Sequence, residues 1–390
     1  MNPESLVDDL NPSQQAAVEH RGGPLLIIAG AGSGKTRVLT RRIAHLLATN
    51  DASPGQIMAI TFTNKAAAEM RERVVELVGP AARAMTVSTF HSACVRILRK
   101  EAGRLGMSTS FSIYDQTDSL RLMQMVIRDL DLDPKRYPPR SFLNHVSSAK
   151  NELIDHETYA ARASNHMEQT IAEAYAEYQR RLARGGAFDF DDLIGSTVAL
   201  LQLFPDVSEH YRRRFRHVLV DEYQDTNHAQ YVLIRELVGS GDDPNLPPAG
   251  LCVVGDADQS IYAFRGATIR NIEEFERDFP NATTILLEQN YRSTQNILSA
   301  ANAVISHNSS RREKRLWTDE GSGEPIVGYV GDDEHDEASF VSGEIDRLVD
   351  DAGYRPGDVA VFYRTNAQSR SVEEIFIRMG MPYKVVGGVR

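Results

Sequence analysis

The sequence predicts an α/β protein built on a parallel sheet with helices against both faces. Three observations predict it. Short, near-continuous apolar runs alternate with helical stretches, which is how strands read when both faces of their sheet are buried. Each run ends in small or polar residues, and ligands of such sheets bind at the carboxyl ends of the strands. One long interval carries helical periodicity and no strand run, which marks an insertion.

The elements follow in order. "LLIIAG" at 25–30 leads into a loop of Gly and Ala, then Gly34, Lys35, Thr36 and a helical pattern. "IMAITF" at 57–62 carries Thr61 near its end, and "AMTVST" at 84–89 ends on Thr89. Between about residues 113 and 185 the strand runs cease. "DSLRLMQMVIRDL" and "EQTIAEAYAEYQRRLARGG" are helical by pattern, with a loop at "DLDPKRYPPRS" and a stop at Gly185 and Gly186. "HVLVDE" at 217–222 ends in Asp221 and Glu222, "LCVVGD" at 251–256 in Asp256, and "TILLEQ" occupies 284–289. "SGDDPNLPPAG" at 240–250 is a polar surface loop. A second set begins after residue 289: "IVGYV" at 326–330, a helix through "DEASFVSGEIDRLVDD", "VAVFYR" at 359–364, a helix through "SVEEIFIRMG", and "YKVVGG" at 383–388. The expected organisation is therefore a first domain of 1–112 with 186–288, a helical insertion at 113–185, and the opening part of a second α/β domain at 289–390.

Composition narrows the class. The chain of 390 residues is long enough for a sizeable core without staples. A net charge of −11 argues against binding polyanions through an overall positive field, and leaves room only for a local site of placed side chains, backbone N–H groups and aromatic faces. Cys94 and Cys252 are far apart, so neither a disulfide framework nor a thiolate metal site is encoded. The amino terminus "MNPESLVDDLNPSQQ" has no apolar core of a signal peptide, and no run of about 18 apolar residues occurs. A cytoplasmic protein without membrane contact is expected.

The loop after the first run fits the phosphate-binding pattern G-x-x-x-x-G-K-[ST] with Ala29 in the first position and Gly34, Lys35 and Thr36 in the last three. The N–H groups of Ala31, Gly32, Ser33 and Gly34 and the start of the following helix face a phosphate, Lys35 adds a point charge, and the Thr36 hydroxyl suits Mg²⁺. Asp221 is the matching Mg²⁺ carboxylate, and Glu222 beside it can take a proton from an attacking water. Alone, the loop could be an empty strand-to-helix turn and Asp-Glu a solvated strand end. Together they point to hydrolysis of a nucleoside triphosphate.

"LNPSQQAAV", "AGAGSGKTRVLTRRI", "AITFTNKAAAEMRERV", "VSTFHSACVRILR", "AFDFDDLI", "VLVDEYQDTN", "VVGDADQSIYAFRGA" and "LEQNYRST" resemble, in order and spacing, the motifs of superfamily 1 DNA helicases of the UvrD/PcrA/Rep type. The likeness covers essentially the whole chain and is closest to the PcrA/UvrD branch. It implies a RecA-like P-loop NTPase domain with an all-helical insertion, followed by the first part of a second RecA-like domain, with ATP and Mg²⁺ between them. By the same resemblance Gln14 reads the adenine edge, Arg37 and Tyr291 stack on its two faces, Arg292 reaches the γ-phosphate from the second domain, and Gln259 senses that phosphate. The implied DNA contacts are Phe62, Asn64, Thr89, His91, Tyr262, Phe264 and Arg265, with Arg364 and Asn366 from the second domain. Aromatic stacking tolerates any base, which suits a motor. The family often has Trp where this chain has Phe264, so a smaller stacking face is expected there. Taken singly, Gln14 and Arg292 could be ordinary surface residues, and Phe62 and Phe264 core. The carboxylates of "FDFDDLI" read as a helix start, with Asp189 as cap and Asp191 and Asp192 against the dipole.

The function expected from this likeness is an ATP-driven 3′ to 5′ translocase that unwinds DNA. It would act on single strands and single/double-strand junctions with repair or replication proteins. Two alternatives stay open: the motor half of a helicase-nuclease, and a nucleotide- and DNA-binding module without motor activity. The second is raised because further family motifs follow the region in which the chain ends, so weak ATP binding and poor unwinding by these 390 residues alone are expected.

Overall fold

The computed structural model describes residues 2–241, 245–262, 266–268, 270–273, 275–308 and 314–386. Phe264 and Arg265 lie outside the described residues. The chain divides into two compact units, Met1–Ser322 and Gly323–Arg390.

The first unit is built on the strands β1 (Leu25–Ala29), β2 (Ile57–Thr61), β3 (Thr86–Thr89), β6 (His217–Val220), β7 (Gly250–Gly255) and β8 (Thr283–Leu287). They form one sheet in the order β3-β2-β6-β7-β1-β8, every neighbouring pair parallel. Alternate side chains of each strand enter different cores, as the pleat requires. Leu26, Ile28, Met58, Ile60, Val218 and Val220 pack on one face with the helices Phe90–Glu101, Phe190–Leu203 and His228–Val238. Leu25, Ile27, Ile57, Ala59, Leu219 and Cys252 pack on the other with the helices Lys35–Ala48 and Asn64–Val78. On β1, β2 and β3 every residue is buried and on β6 and β7 nearly so, which is why they read as unbroken apolar runs, whereas the edge strand β8 leaves Leu286 40% exposed.

The helical interval holds Gln116–Asp129, Pro139–Asn151, His156–Arg162 and His166–Arg184, which enclose a third core of Met123, Val126, Phe142, Val146, Tyr175 and Tyr178. Its ends are tied by two short strands, β4 (Ser112–Tyr114) and β5 (Ala187–Asp189), paired in parallel. The sequence reading lacks this pair, because three-residue strands are too short to show a period. A buried ion triad fastens the layer to the sheet unit: the Lys150 ammonium lies 2.7 Å from Asp189 and 2.8 Å from Asp192, and the Tyr178 hydroxyl donates to Asp189 at 3.0 Å. Burial opposes the charge on Lys150, but Asp192 and Asp189 outweigh it and raise its pKa.

The second unit carries helices Glu334–Ala352 and Ser369–Met379, which pack on each other and bury Ala338, Ile345, Ile375 and Phe376. The strands expected at 326–330 and 359–364, and at 383–388 as far as residue 386, do not form ladders among the described residues. Val330 is 95% exposed and Phe362 93%. A strand is made by hydrogen bonds to neighbours, and among the described residues these apolar runs make no such ladder. No helix among the described residues is long and apolar enough to cross a membrane.

Candidate nucleotide site and nucleic-acid cleft

The sheet order explains how distant residues meet. β6, β7 and β1 are adjacent and parallel, so the segments after them emerge side by side, and β8 on the far flank of β1 delivers residues 289–292 to the same edge.

After β1 the chain turns through Gly32 (φ 68°) and Gly34 (φ 85°), conformations that favour glycine, and Gly34 caps the helix Lys35–Ala48. The loop is braced from within: the Ser33 hydroxyl donates to the Gly30 carbonyl at 2.7 Å. It is also braced from both sides. Gln14, 1% exposed, donates from Nε2 to the Ser33 carbonyl at 2.9 Å and accepts from the Asn11 N–H at 3.2 Å, closing the capping box of the helix Pro12–Glu19. Asn290 donates from Nδ2 to the Ala31 carbonyl at 2.5 Å, and the Tyr291 N–H donates to the Gly32 carbonyl at 2.9 Å. A methyl group on Gly32 would stand 2.5 Å from Asn290 Nδ2 and 3.0 Å from Arg292 Cβ. The concave backbone and the helix N-terminus form an anion cradle.

Lys35 Nζ lies 2.9 Å from Glu222 Oε2 and 3.5 Å from Gln259 Oε1. Glu222 takes the left-handed conformation (φ 51°, ψ 45°), a strained turn that brings its carboxylate over the loop. Asp221 is buried; desolvation, then the Glu222 charge, push its carboxyl up to about 6. A divalent cation would relieve that unpaired charge, and the Thr36 hydroxyl in the first helical turn adds a second oxygen donor. Among the described residues no three His, Cys, Asp or Glu side chains gather to hold a metal alone. A cation here would therefore complete its shell with phosphate oxygens and water.

Tyr291 is 44% exposed beside the loop, and its hydroxyl accepts from Asn11 Nδ2 at 2.8 Å and donates to Gln289 at 2.9 Å. Arg37, one turn into the loop helix, ion-pairs with Asp9. The Arg292 side chain is exposed, while its N–H donates to Asn290 Oδ1 at 2.8 Å.

A cleft of about 830 Å³ separates the strand ends of β2 and β3 from the helical layer. Phe62, Thr89 and His91 line it, and Phe62 also meets Tyr262 with ring centroids 5.0 Å apart. Thr89 uses its hydroxyl to cap the helix Phe90–Glu101, accepting from the Ser92 N–H. Burial lowers the pKa of His91, so the ring is neutral at pH 7. Asn64 opens the helix Asn64–Val78, exposed and apart from the lining. Among the described residues the lining includes aromatic rings, amides, hydroxyls and carboxylates but no lysine or arginine. Such a wall favours bases over phosphates. Arg364 and Asn366 belong to the second unit, where the Arg364 N–H donates to Gln368 and Asn366 opens a short turn before the helix Ser369–Met379.

The sequence reading missed several side chains of this region. Asn290 accepts from the N–H groups two and three residues on, an Asx turn signalled only weakly by Asn before Tyr-Arg. Phe190, 46% exposed, meets His91 edge-on at 5.5 Å in the cleft; a phenylalanine set among three aspartates on a helix start was the available signal. Around it the carboxylates do cap the helix, Asp189 accepting from the Asp192 N–H. Lys150, which pairs with them, gave no local signal.

A glycine cradle, a lysine and an acidic strand end assembled on one edge of a parallel sheet define a P-loop NTPase. Comparison with known proteins narrows the class. Residues 10–280 match the UvrD/REP helicase N-terminal domain and residues 285–390 the UvrD-like helicase C-terminal domain. The chain belongs to the UvrD/REP helicase family. It is 67% identical to the ATP-dependent DNA helicase UvrD1 of Mycobacterium tuberculosis (strain H37Rv), covering 99% of this chain and 51% of the relative. It is 64% identical to UvrD1 of Mycobacterium leprae (99% and 50% covered) and 50% identical to the ATP-dependent DNA helicase PcrA of Bacillus subtilis (99% and 51%). The chain spans about half the length of the curated relatives it matches.

Proposed function

We propose that this chain carries the ATP-hydrolysing motor of a DNA helicase that moves 3′ to 5′ on single-stranded DNA and separates duplexes at junctions during repair or replication, in the cytoplasm. One observation carries the coupling. Glu222, which pairs with Lys35, and Asp225, which lines the cleft, sit three residues apart on one short turn. Whatever moves one moves the other.

Without nucleotide, Lys35 is neutralised by Glu222. Phosphate in the cradle competes for that ammonium, which frees the Glu222 carboxylate to take a proton from water. Gln259, with Oε1 toward Lys35, orients that water, and Arg292 supplies positive charge to the transition state. A divalent cation held by Thr36 and Asp221 would neutralise charge on the phosphates. Gln14, Arg37 and Tyr291 receive the base. Phe62, His91 and Tyr262, with Thr89, meet successive DNA bases; Asn64, Phe264, Arg265, Arg364 and Asn366 complete the proposed track. In this reading residues 1–112 and 186–288 form the first ATPase domain, 113–185 the insertion, and 289–390 the start of the second domain, although packing groups residues 289–322 with the first. The direction of movement rests on family likeness.

The test is ATP hydrolysis by the protein that carries these residues, with and without single-stranded DNA. A rate indifferent to DNA would sink the motor reading. Displacement of streptavidin from oligonucleotides biotinylated at either end reads the direction, and displacement from the 5′ end is expected.

A further inference from the structure

The Asp256 carboxylate anchors a ring of polar contacts around the nucleotide site. Its Oδ2 accepts from Gln259 Nε2 at 2.6 Å; Gln259 Oε1 faces Lys35 at 3.5 Å; Lys35 pairs with Glu222 at 2.9 Å; Glu222 accepts from Gln224 Nε2 at 2.7 Å; and Gln224 Oε1 accepts from the Asp256 N–H at 3.0 Å. A cation stands behind this ring. The Lys314 ammonium, its side chain 4% exposed, ion-pairs with Asp256, 2% exposed, and with Asp258 at 2.9 Å.

We propose that Lys314 is a positioning residue that fixes which end of the Gln259 amide faces the phosphate lysine. The proposal rests on the ATPase reading of the site. An amide side chain can turn end for end, and its two ends differ: one accepts and the other donates. An ionised carboxylate only accepts. Paired with the Lys314 ammonium, the Asp256 carboxylate takes Gln259 Nε2 at 2.6 Å and leaves Oε1 toward Lys35. Reversed, the amide would present donors to an ammonium. The Lys314 ammonium gives the Asp256 carboxylate a countercharge where little water reaches it.

The position of Lys314 is set by the same segment that holds Arg292. Arg315 N–H donates to Glu288 Oε1 at 2.8 Å, Asn290 N–H donates to the Trp317 carbonyl at 2.8 Å, and Gln289 and Trp317 form a parallel bridge. Residues 288–290, which lead from β8 to Tyr291 and Arg292, thus also hold the segment 315–317 that follows the lysine, so both phosphate-facing groups hang on one backbone connection.

The experiment is a double-mutant cycle in the protein that carries these residues: K314M, D256N and the pair. The readouts are kcat for DNA-stimulated ATP hydrolysis, affinity for fluorescent ADP, and Tm. Each single change should lower kcat about 10- to 100-fold, the scale of a misplaced catalytic group. The double variant should be no worse than the poorer single, because both act through one lock. ADP affinity should stay within about threefold, a kcat effect without a binding effect. If K314M does not fold, the double variant, which removes both buried charges, takes its place: wild-type Tm with low kcat supports the lock. Recovery of kcat in the double variant overturns it, since Lys314 would then only balance charge. Multiplying losses, or K314M within twofold of wild type, also overturn it. No ATP hydrolysis by the unmutated protein overturns the functional reading and this role with it, a result distinct from any seen only in the variants.

Discussion

Replacing Asn290 by alanine removes the piece that holds Tyr291 and Arg292 to the phosphate loop. Its side chain makes three hydrogen bonds: it donates to the Ala31 carbonyl at 2.5 Å and accepts from the Arg292 and Ser293 N–H groups at 2.8 and 2.7 Å. The residue is 1% exposed, so water does not replace these bonds. At about 0.5–1.5 kcal/mol each, their loss should cost about 2–4 kcal/mol, or roughly 5–10 °C in Tm. Asn290→Asp separates the two functions of the side chain. Aspartate keeps both accepted bonds and so the turn, but sets a carboxylate oxygen against the Ala31 carbonyl. Steady-state ATPase assays and thermal unfolding of both variants decide the matter. Alanine should lower kcat about 10- to 100-fold by freeing Arg292, and aspartate should weaken nucleotide binding with a smaller loss of Tm. If Asn290→Ala keeps kcat and KM within twofold and Tm within about 1 °C, the bracing role is refuted.

Lys150→Met leaves Asp189 and Asp192 buried without their ammonium and should cost about 3–5 kcal/mol, more at pH 8 than at pH 5.5, because protonation relieves the stranded carboxylates; an unchanged thermal midpoint at pH 8 would show that the triad does not fasten the helical layer. Phe190→Ala should weaken single-stranded DNA binding by about 1–3 kcal/mol and leave ADP binding as it was, measured by anisotropy on one preparation; equal DNA affinity would remove Phe190 from the cleft's stacking faces. His91 has a folded pKa below its ordinary 6.5 because of burial. As pH falls below 6.5 the unfolded chain therefore binds the proton first, and stability drops. His91→Gln should abolish that part of the decline between pH 7.5 and 5.5, and parallel Tm curves for the two proteins would contradict it.

Much of the fold was legible because its signals are local. An unbroken apolar run such as Leu25–Ala29 followed by glycines and Lys35 needs no knowledge of the rest of the chain, and the six strands of the main sheet stand where such runs stand. The second unit shows the limit. "IVGYV" and "VAVFYR" have strand composition, yet a ladder needs hydrogen bonds to a second segment, and among the described residues they make none. Composition states a preference; pairing is a property of two segments.

The site divides along the same line. Sequence alone placed glycines where the loop needs φ above zero, put a lysine at the helix start and an Asp-Glu pair at a strand end, since backbone conformation and helix dipoles act within a few residues. Only the tertiary structure decided that Lys35 meets Glu222 and Gln259, that Gln14 braces Ser33, and that Asn290, Lys314, Lys150 and Phe190 matter. Each of these gets its meaning from a partner distant in sequence: Ala31 for Asn290, Asp256 for Lys314, Asp189 for Lys150, His91 for Phe190. A lysine in "EKRLWT" reads as a surface charge until the fold buries it against a carboxylate, because desolvation, which gives that charge its strength, is decided by packing.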